Sequence, residues 1–165
     1  MMRSRSRTSA GLLMYRSGSA GVEVLLVHPG GPFFVRKDEG AWTIPKGEAA
    51  ADEDLLTRAR IEFAEELGFE PTGELLSLGT IRQKGGKTVH AWAFEGDLPN
   101  EFVVRSNTFQ LEWPPHSGQH QNFAEIDRAE FFPLEVAQRK INPAQVSLLE
   151  RLRAVITASA SAINH

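Results

Sequence analysis

The chain has 165 residues, of which 41% are hydrophobic and 24% charged, and this composition predicts one globular domain. Its formal net charge of -3 does not favour nucleic-acid or membrane binding, and the absence of cysteine excludes disulfides, thiol catalysis and cysteine-ligated zinc. The basic start lacks the apolar stretch of a signal peptide. We therefore expect a cytoplasmic protein with a disordered tail over residues 1–9 and a single domain over residues 10–160.

The first third of the chain is predicted to form strands. Apolar runs at residues 10–15 and 22–28 are typical of buried strands, and the sequence "PGGP" at 29–32 ends the second. Residues 33–40 read as an exposed loop. A short strand is predicted at 41–44, directly before a proline.

Residues 54–67 have the periodicity of an amphipathic helix. Its apolar stripe consists of Leu56, Ala59, Phe63 and Leu67. Asp54 is the expected N-cap, and Gly68 the expected residue after the helix.

The rest of the chain mixes strands and helices. Strands are predicted at 75–83, 88–94 and 122–127, with the glycines of "KGGK" as the turn between the first two. Residues 97–121 read as a long irregular segment. A short helix is predicted near Pro133, and a last helix from Asn142-Pro143 to about residue 158. The pattern predicts an α+β protein with a mixed sheet.

Three glutamates, Glu62, Glu65 and Glu66, fall on the helix face opposite the apolar stripe. This face is either a solvated surface, with Arg58 easing the repulsion, or a site for a divalent cation. The residue types leave both interpretations open.

The stretch "GEAAADEDLLTRARIEFAEELGF", from Gly47 to Phe69, distinguishes them. It resembles the Nudix box: Gly, five residues, Glu, seven residues, Arg-Glu-apolar-x-Glu-Glu-x-Gly-apolar. Every fixed position matches except the arginine, where this chain has Ile61. The flanking "AWTIPKGE" and "VEVLLVH" also resemble this family.

The resemblance implies a Nudix-type α/β/α sandwich with a central mixed β-sheet, in a small bacterial MutT-like protein. It implies an Mg²⁺-dependent or Mn²⁺-dependent enzyme that hydrolyses a nucleoside diphosphate linked to another moiety. A dinucleoside polyphosphate or an NTP is the expected substrate, and the state is monomer or homodimer.

The resemblance also implies roles for the residues of the box. Glu62 and Glu66 would be the main metal ligands, Glu65 would be a ligand or assist one, and the Gly47 carbonyl would join them. Glu53 would support the helix. The family adds an acid from a later loop, for which Glu125 is the candidate, although it also reads as a surface glutamate. Glu66, Glu65 and Glu125 all remain possible general bases.

Several residues outside the box are candidates for substrate binding. The cations are Arg36, Lys46, Arg82 and Lys84, each of which also reads as an ordinary surface residue. Trp113 is a candidate for stacking on a nucleobase or for anchoring its loop. Trp92, between two alanines, reads as a core residue.

Ile61 stands where the family has an arginine that pairs with the loop glutamate, here Glu53. Two hypotheses follow. Either the enzyme is active, with Arg58 or Arg60 partly replacing the missing side chain, or the domain is a catalytically weak or inactive Nudix-fold module that binds nucleotides.

Overall fold

Eight strands and three helices form the part of the chain that the computed structural model describes, which is residues 7–163, with side chains described to residue 159. The strands are β1 (Thr8–Gly18), β2 (Gly21–Pro29), β3 (Lys46–Glu48), β4 (Leu76–Gln83), β5 (Lys87–Glu95), β6 (Thr108–Glu112), β7 (His120–Ala124) and β8 (Ile126–Pro133). The helices are α1 (Leu55–Leu67), α2 (Leu134–Lys140) and α3 (Val146–Ile163).

The central sheet is mixed, as the sequence predicts. Its order is β4-β5-β1-β2-β8, with β3 paired to the first half of β1. Strands β1 and β5 are parallel, and the other pairs are antiparallel. Strand β1 therefore lies at the centre and connects β3 to β5 through direct backbone pairing.

Alternate side chains of β1 enter two separate cores. Leu12 and Met14 pack on the α1 side, in a cluster that contains Phe63. Leu13 enters the cluster on the other side, with Leu152 of α3. Since successive side chains of a strand point to opposite faces, the sheet is covered by helices on both sides. The predicted α/β/α sandwich is confirmed.

The predicted strand at 41–44 is wrong. Trp42 and Thr43 make only isolated bridges, and the strand forms one segment later, at Lys46–Glu48. The backbone N–H of Ile44 donates instead to the buried Gln145 side chain at 3.1 Å. A side chain from the far end of the protein thus takes the place of a neighbouring strand, which the local sequence does not reveal.

The segment 97–121 is more regular than predicted. Strands β6 and β7 pair as an antiparallel hairpin, a two-stranded sheet separate from the central one. The predicted strand at 122–127 is divided at Glu125, between β7 and β8. The sequence of β6, TFQLE, alternates polar and apolar residues over only five positions, and that of β7, HQNFA, does not alternate. Neither strand has a buried side chain, so the sequence gives only a weak strand signal here.

Other boundaries follow local signals. Strand β1 begins at Thr8, two residues before its predicted start. Residues 1–6 of the predicted tail lie outside the described part of the chain. The division into tail and domain therefore stays a prediction. Gly85 and Gly86 adopt the positive φ expected of the turn, at 79° and 77°. Asn142 caps a short turn that leads into α3. No helix within residues 7–163 is both long and apolar enough to cross a membrane.

Candidate active site

Helix α1 begins and ends where the sequence predicts. The Asp54 side chain accepts a hydrogen bond from the Thr57 backbone N–H at 3.0 Å, and Gly68 ends the helix in the left-handed conformation, with φ at 84°. Phe63 and Leu67 are buried against the sheet. Because both ends and one face are fixed, the flank with the glutamates has a defined orientation.

Glu66 is buried on this flank, with 7% of its surface exposed, and its Oε2 atom has no hydrogen-bond partner. Burial, and then the nearby Glu62 carboxyl, raise the pKa of Glu66 to about 9, while Lys46 opposes the shift. An unpartnered carboxyl oxygen in the interior is unfavourable, and a cation beside it would remove that penalty.

Glu62 lies directly against Gly47 of β3. A methyl group added at Gly47 would overlap the Glu62 carboxyl group, so only glycine leaves room for this side chain. Burial raises the pKa of Glu62, opposed by a hydrogen bond from Arg58. The structure therefore places Glu62, the second glutamate of the box, next to its first glycine, 15 positions earlier in the numbering.

Glu125 reaches the same place from another part of the chain. It lies between β7 and β8, where its carbonyl accepts from the Gly30 N–H and its own N–H donates to Asn107, both at 2.9 Å. Its charge contributes to the raised pKa of both Glu62 and Glu66. Glu65 is exposed and also raises the pKa of Glu62. The structure thus places four of the five glutamates that the sequence singles out within electrostatic range of Glu62 or Glu66.

The donors present suit a hard divalent cation. Carboxylate oxygens and a backbone carbonyl are the ligands that Mg²⁺ prefers. The unpartnered oxygen of Glu66 lies among them. Across residues 7–163, however, no three His, Asp or Glu side chains are grouped closely enough to enclose a metal ion by themselves. The residues fit a cation that is shared with substrate phosphates, an arrangement common for Mg²⁺.

Arg58 joins Glu53 to Glu62. Its Nε donates to both Glu53 carboxylate oxygens at 3.0 Å, Nη2 donates to Glu53 Oε2 at 2.6 Å, and Nη1 donates to Glu62 Oε1 at 3.1 Å. These contacts lower the pKa of Glu53 and raise that of Arg58. Ile61, at the arginine position of the box, is 37% exposed and takes no part in this network. Arg60 makes no ion pair within the described part of the chain.

The sequence predicts Arg58 only as a partial replacement for the box arginine, whose position Ile61 occupies. Its spacing to Glu62, one helical turn, is a signal that predicts their contact. Its contact with Glu53 has no such signal, because Glu53 precedes the helix and its direction depends on the fold of the loop. The bidentate geometry, which arginine forms well, is visible only in the structure.

The predicted substrate-binding cations differ in position. Lys46 is half-buried near the carboxylates, and burial lowers its pKa, while Glu66 opposes this shift. Arg82 is exposed on β4. Arg36 and Lys84 are exposed, and no contact joins either to the glutamates among residues 7–163. Only Lys46 is shown to be part of the carboxylate cluster.

Trp113 lies away from the glutamates. It follows β6, at the hairpin end where Glu112 pairs with His120, and β7 separates this end from Glu125. Its ring meets the exposed Phe33 edge-on, with ring centroids 5.4 Å apart and planes at 82°. These contacts are those of a loop anchor, and they place the ring outside the carboxylate cluster.

The structure thus combines an α/β/α sandwich with glutamates on a capped helix that packs against a glycine of the neighbouring strand. The NUDIX domain model matches residues 5–152. The chain therefore belongs to the Nudix family. A comparison with curated protein sequences finds no match.

Solved structures share the fold. A Caenorhabditis elegans Ap4A hydrolase in a binary complex is 23% identical, covers 91% of this chain and 98% of its own, and has a TM-score of 0.64. The NUDIX domain of Shewanella oneidensis NrtR, complexed with ADP ribose, is 17% identical over 93% of this chain and 90% of its own, with a TM-score of 0.65. A mutT/nudix family protein from Listeria innocua is 16% identical over 95% and 98%, with a TM-score of 0.62. At these identities the likeness establishes the fold alone.

Proposed function

We propose that the chain is a divalent-metal-dependent hydrolase that splits a phosphoanhydride bond in a nucleoside diphosphate linked to another moiety. The observation that carries this proposal is the buried Glu66 carboxyl with its unpartnered oxygen, whose charge is coupled to that of Glu125 and to that of Glu62, the side chain that lies against Gly47. Such a cluster of acids is unfavourable in a folded protein unless one of them holds a proton or a cation is shared between them.

The proposed ligands are Glu62, Glu66 and the carbonyl of Gly47, with Glu65 assisting from its exposed position. A bound Mg²⁺ or Mn²⁺ supplies neutralisation of phosphate oxygens and acidifies a bound water. Arg58 fixes the direction of Glu62 by holding its Oε1 atom at 3.1 Å, so that the other carboxylate oxygen is left to the cation.

We propose Glu125 as the general base. It is exposed, so water can reach it, and it lies on a segment separate from the helix while still acting on the charges of Glu62 and Glu66. Glu65 and Glu66 are the alternatives. Glu66 is better suited to cation binding, because its burial leaves little room for an attacking water.

Positive side chains are needed for the remaining phosphate charge. Lys46 is placed for this task beside the carboxylates, and Arg82 lies exposed on the edge strand β4. Arg36, Lys84 and Trp113 stay predicted substrate-binding residues that no contact ties to the cluster.

The proposed substrates are dinucleoside polyphosphates or NTPs. This choice rests on the resemblance to MutT-like proteins and on the structural neighbour named as an Ap4A hydrolase. The neighbour crystallised with ADP ribose adds nucleotide sugars and related diphosphates to the compounds to be tested. A cytoplasmic location and a monomeric or homodimeric state stay predictions.

The test is a substrate screen with purified full-length protein. Diadenosine polyphosphates, NTPs, ADP-ribose and dinucleotide cofactors are incubated with Mg²⁺ or Mn²⁺, and products are separated by chromatography. We expect turnover of at least one compound that EDTA abolishes. If several compounds bind and none is cleaved, the chain is instead the nucleotide-binding module that Ile61 suggests.

Two variants separate the proposed roles of the glutamates. Glu125→Gln should lower kcat while Mn²⁺ binding, followed by electron paramagnetic resonance, stays unchanged. Glu66→Gln should weaken Mn²⁺ binding itself. If Glu125→Gln retains full kcat, Glu125 is not the base, and the same measurement on Glu65→Gln identifies whether the neighbouring acid is.

A further inference from the structure

The sheet face on the α1 side is incompletely covered near the middle of β5 and on the neighbouring edge strand β4. Phe94 of β5 is buried there and packs edge-on against Phe63 of α1, with ring centroids 5.1 Å apart. Two and four residues earlier on the same side of β5, Trp92 and His90 are only half-buried. Beyond them, at the sheet edge, β4 has an exposed Thr80. The face is thus closed near Phe94 and open near His90.

His90 and Trp92 form a flat aromatic surface in this open part. Their rings are stacked, with centroids 4.2 Å apart and planes at 5°. Trp92 also packs against the core on the α1 side, which fixes the pair in place. Among residues 7–163, no other aromatic ring stacks on His90. The sequence interpretation of Trp92 as a core residue therefore describes only part of its surface.

The register of the sheet gives the distance from this stack to the carboxylates. Ala10 of β1 pairs with His90 on one side and with Gly47 on the other. The three residues form one row across the sheet, and residues directly opposite in a row face the same side. His90 is therefore two strand spacings, about 10 Å, from Gly47. Gly47 is the residue against which the Glu62 carboxyl lies.

Polar groups border the stack on its outer side. Thr80 of β4 pairs with His90, and Ser77 pairs with Trp92; both are exposed. Arg82 follows on the same strand, opposite Thr88, and is exposed too. A planar ring placed against the stack would have the hydroxyl groups of Thr80 and Ser77 at its edge and the Arg82 guanidinium in the next row of the sheet. These groups suit the binding of a heterocycle that is attached to phosphates.

We propose that the His90–Trp92 stack is the binding site for the planar base of a nucleotide whose diphosphate binds at the glutamates. This rests on the proposed function in so far as a nucleotide is the substrate. The separation of about 10 Å between the stack and Gly47 is a length that a ribose and diphosphate can span. Every base has a π-face, so such a site binds adenine and guanine alike. Any preference between bases would come from the β4 side chains at its edge.

The test follows the three tryptophan indole N–H signals of ¹⁵N-labelled full-length protein by NMR. Trp92→Phe and Trp113→Phe variants assign the signals, and the buried Trp42 is the internal reference. ADP and inorganic pyrophosphate are titrated separately in the presence of Mg²⁺. We expect the Trp92 signal to shift with ADP and to stay in place with pyrophosphate, because only ADP has a base.

A matched pair of histidine variants tests the energetics. His90→Ala should weaken ADP binding about tenfold or more, since loss of base stacking has that effect, and should leave pyrophosphate binding unchanged. His120→Ala, at an exposed position of the hairpin, should change neither. Thermal unfolding of each variant confirms that it folds.

Two results would overturn the proposal. One is an unchanged Trp92 signal up to millimolar ADP. The other is a shift of Trp113 alone, which would place the base at the hairpin. The titration measures binding and not hydrolysis. A Trp92 shift in a protein that cleaves none of the screened compounds would therefore refute the proposed enzyme function and still support the base-binding site.

Discussion

Glu66 makes the stability of the metal-free protein depend on pH in an unusual direction. Its pKa is about 9 in the folded chain and near the ordinary 4.5 in the unfolded chain. Between these values the folded state holds a proton that the unfolded state has lost. The free energy of unfolding therefore falls as pH rises, by about 1.4 kcal/mol per pH unit for one proton.

The predicted magnitude comes from the comparison of two chains. From pH 6 to pH 8 the wild type should lose about 2 to 3 kcal/mol more stability than Glu66→Gln, which has no proton to lose there. The other titrating groups are common to both chains, so the contributions of those that are not coupled to Glu66 cancel in the difference. The measurement is urea-induced unfolding in EDTA at pH 6, 7 and 8. Parallel pH profiles for the two chains would refute the argument that Glu66 is buried and protonated.

Addition of a cation should reverse this dependence. A bound divalent ion keeps Glu66 as a carboxylate, so binding releases a proton and becomes tighter as pH rises. We expect Mg²⁺ to raise the Tm of the wild type more at pH 8 than at pH 6, and to have little effect on Glu66→Gln at either pH. An equal rise in Tm at both pH values would show that the ion binds elsewhere.

The remaining predictions concern the residues around Glu62. Gly47→Ala should displace the Glu62 carboxyl group and lower kcat about 100-fold, measured on the compound that the screen identifies; an unchanged kcat would remove Glu62 from the site. Arg58→Ala should lower kcat/KM or Mn²⁺ affinity about 10- to 100-fold, whereas Arg60→Ala, the matched control, should lower neither. Adding Ile61→Arg to Arg58→Ala should recover part of the loss, and no recovery would show that the two positions are not equivalent.

Local signals in the sequence were enough for some parts of the fold. The ends of α1 depend on Asp54 and Gly68, each of which acts within one turn of its own position. The turn before β5 depends on two adjacent glycines. In these places the residue type and the backbone conformation are linked directly, so a single sequence reveals them.

Other parts depend on partners that are distant in the chain. The hairpin of β6 and β7 is held by its own pairing and buries no side chain fully, and the polar–apolar alternation of β6 covers only five residues and is not repeated in β7. Residues 41–44 bond to Gln145, about a hundred positions later. Glu125 comes to the glutamates of α1 because Gly30 and Asn107 hold its backbone. Its candidacy came from the resemblance, and its place became visible only when these segments were packed together.

The substitution at Ile61 shows how a motif residue can change while the ion pair that it would form is retained by another residue. An arginine at position 61 would follow Glu53 by eight residues, whereas Arg58 follows it by five and precedes Glu62 by one helical turn. From there its guanidinium reaches both carboxylates with four hydrogen bonds. No ion pair is then needed from position 61, and Ile61 lies partly exposed. The departure from the box therefore argues less strongly for a catalytically weak domain than the sequence alone suggested, because the contact that the missing arginine would make is present in the structure from another position.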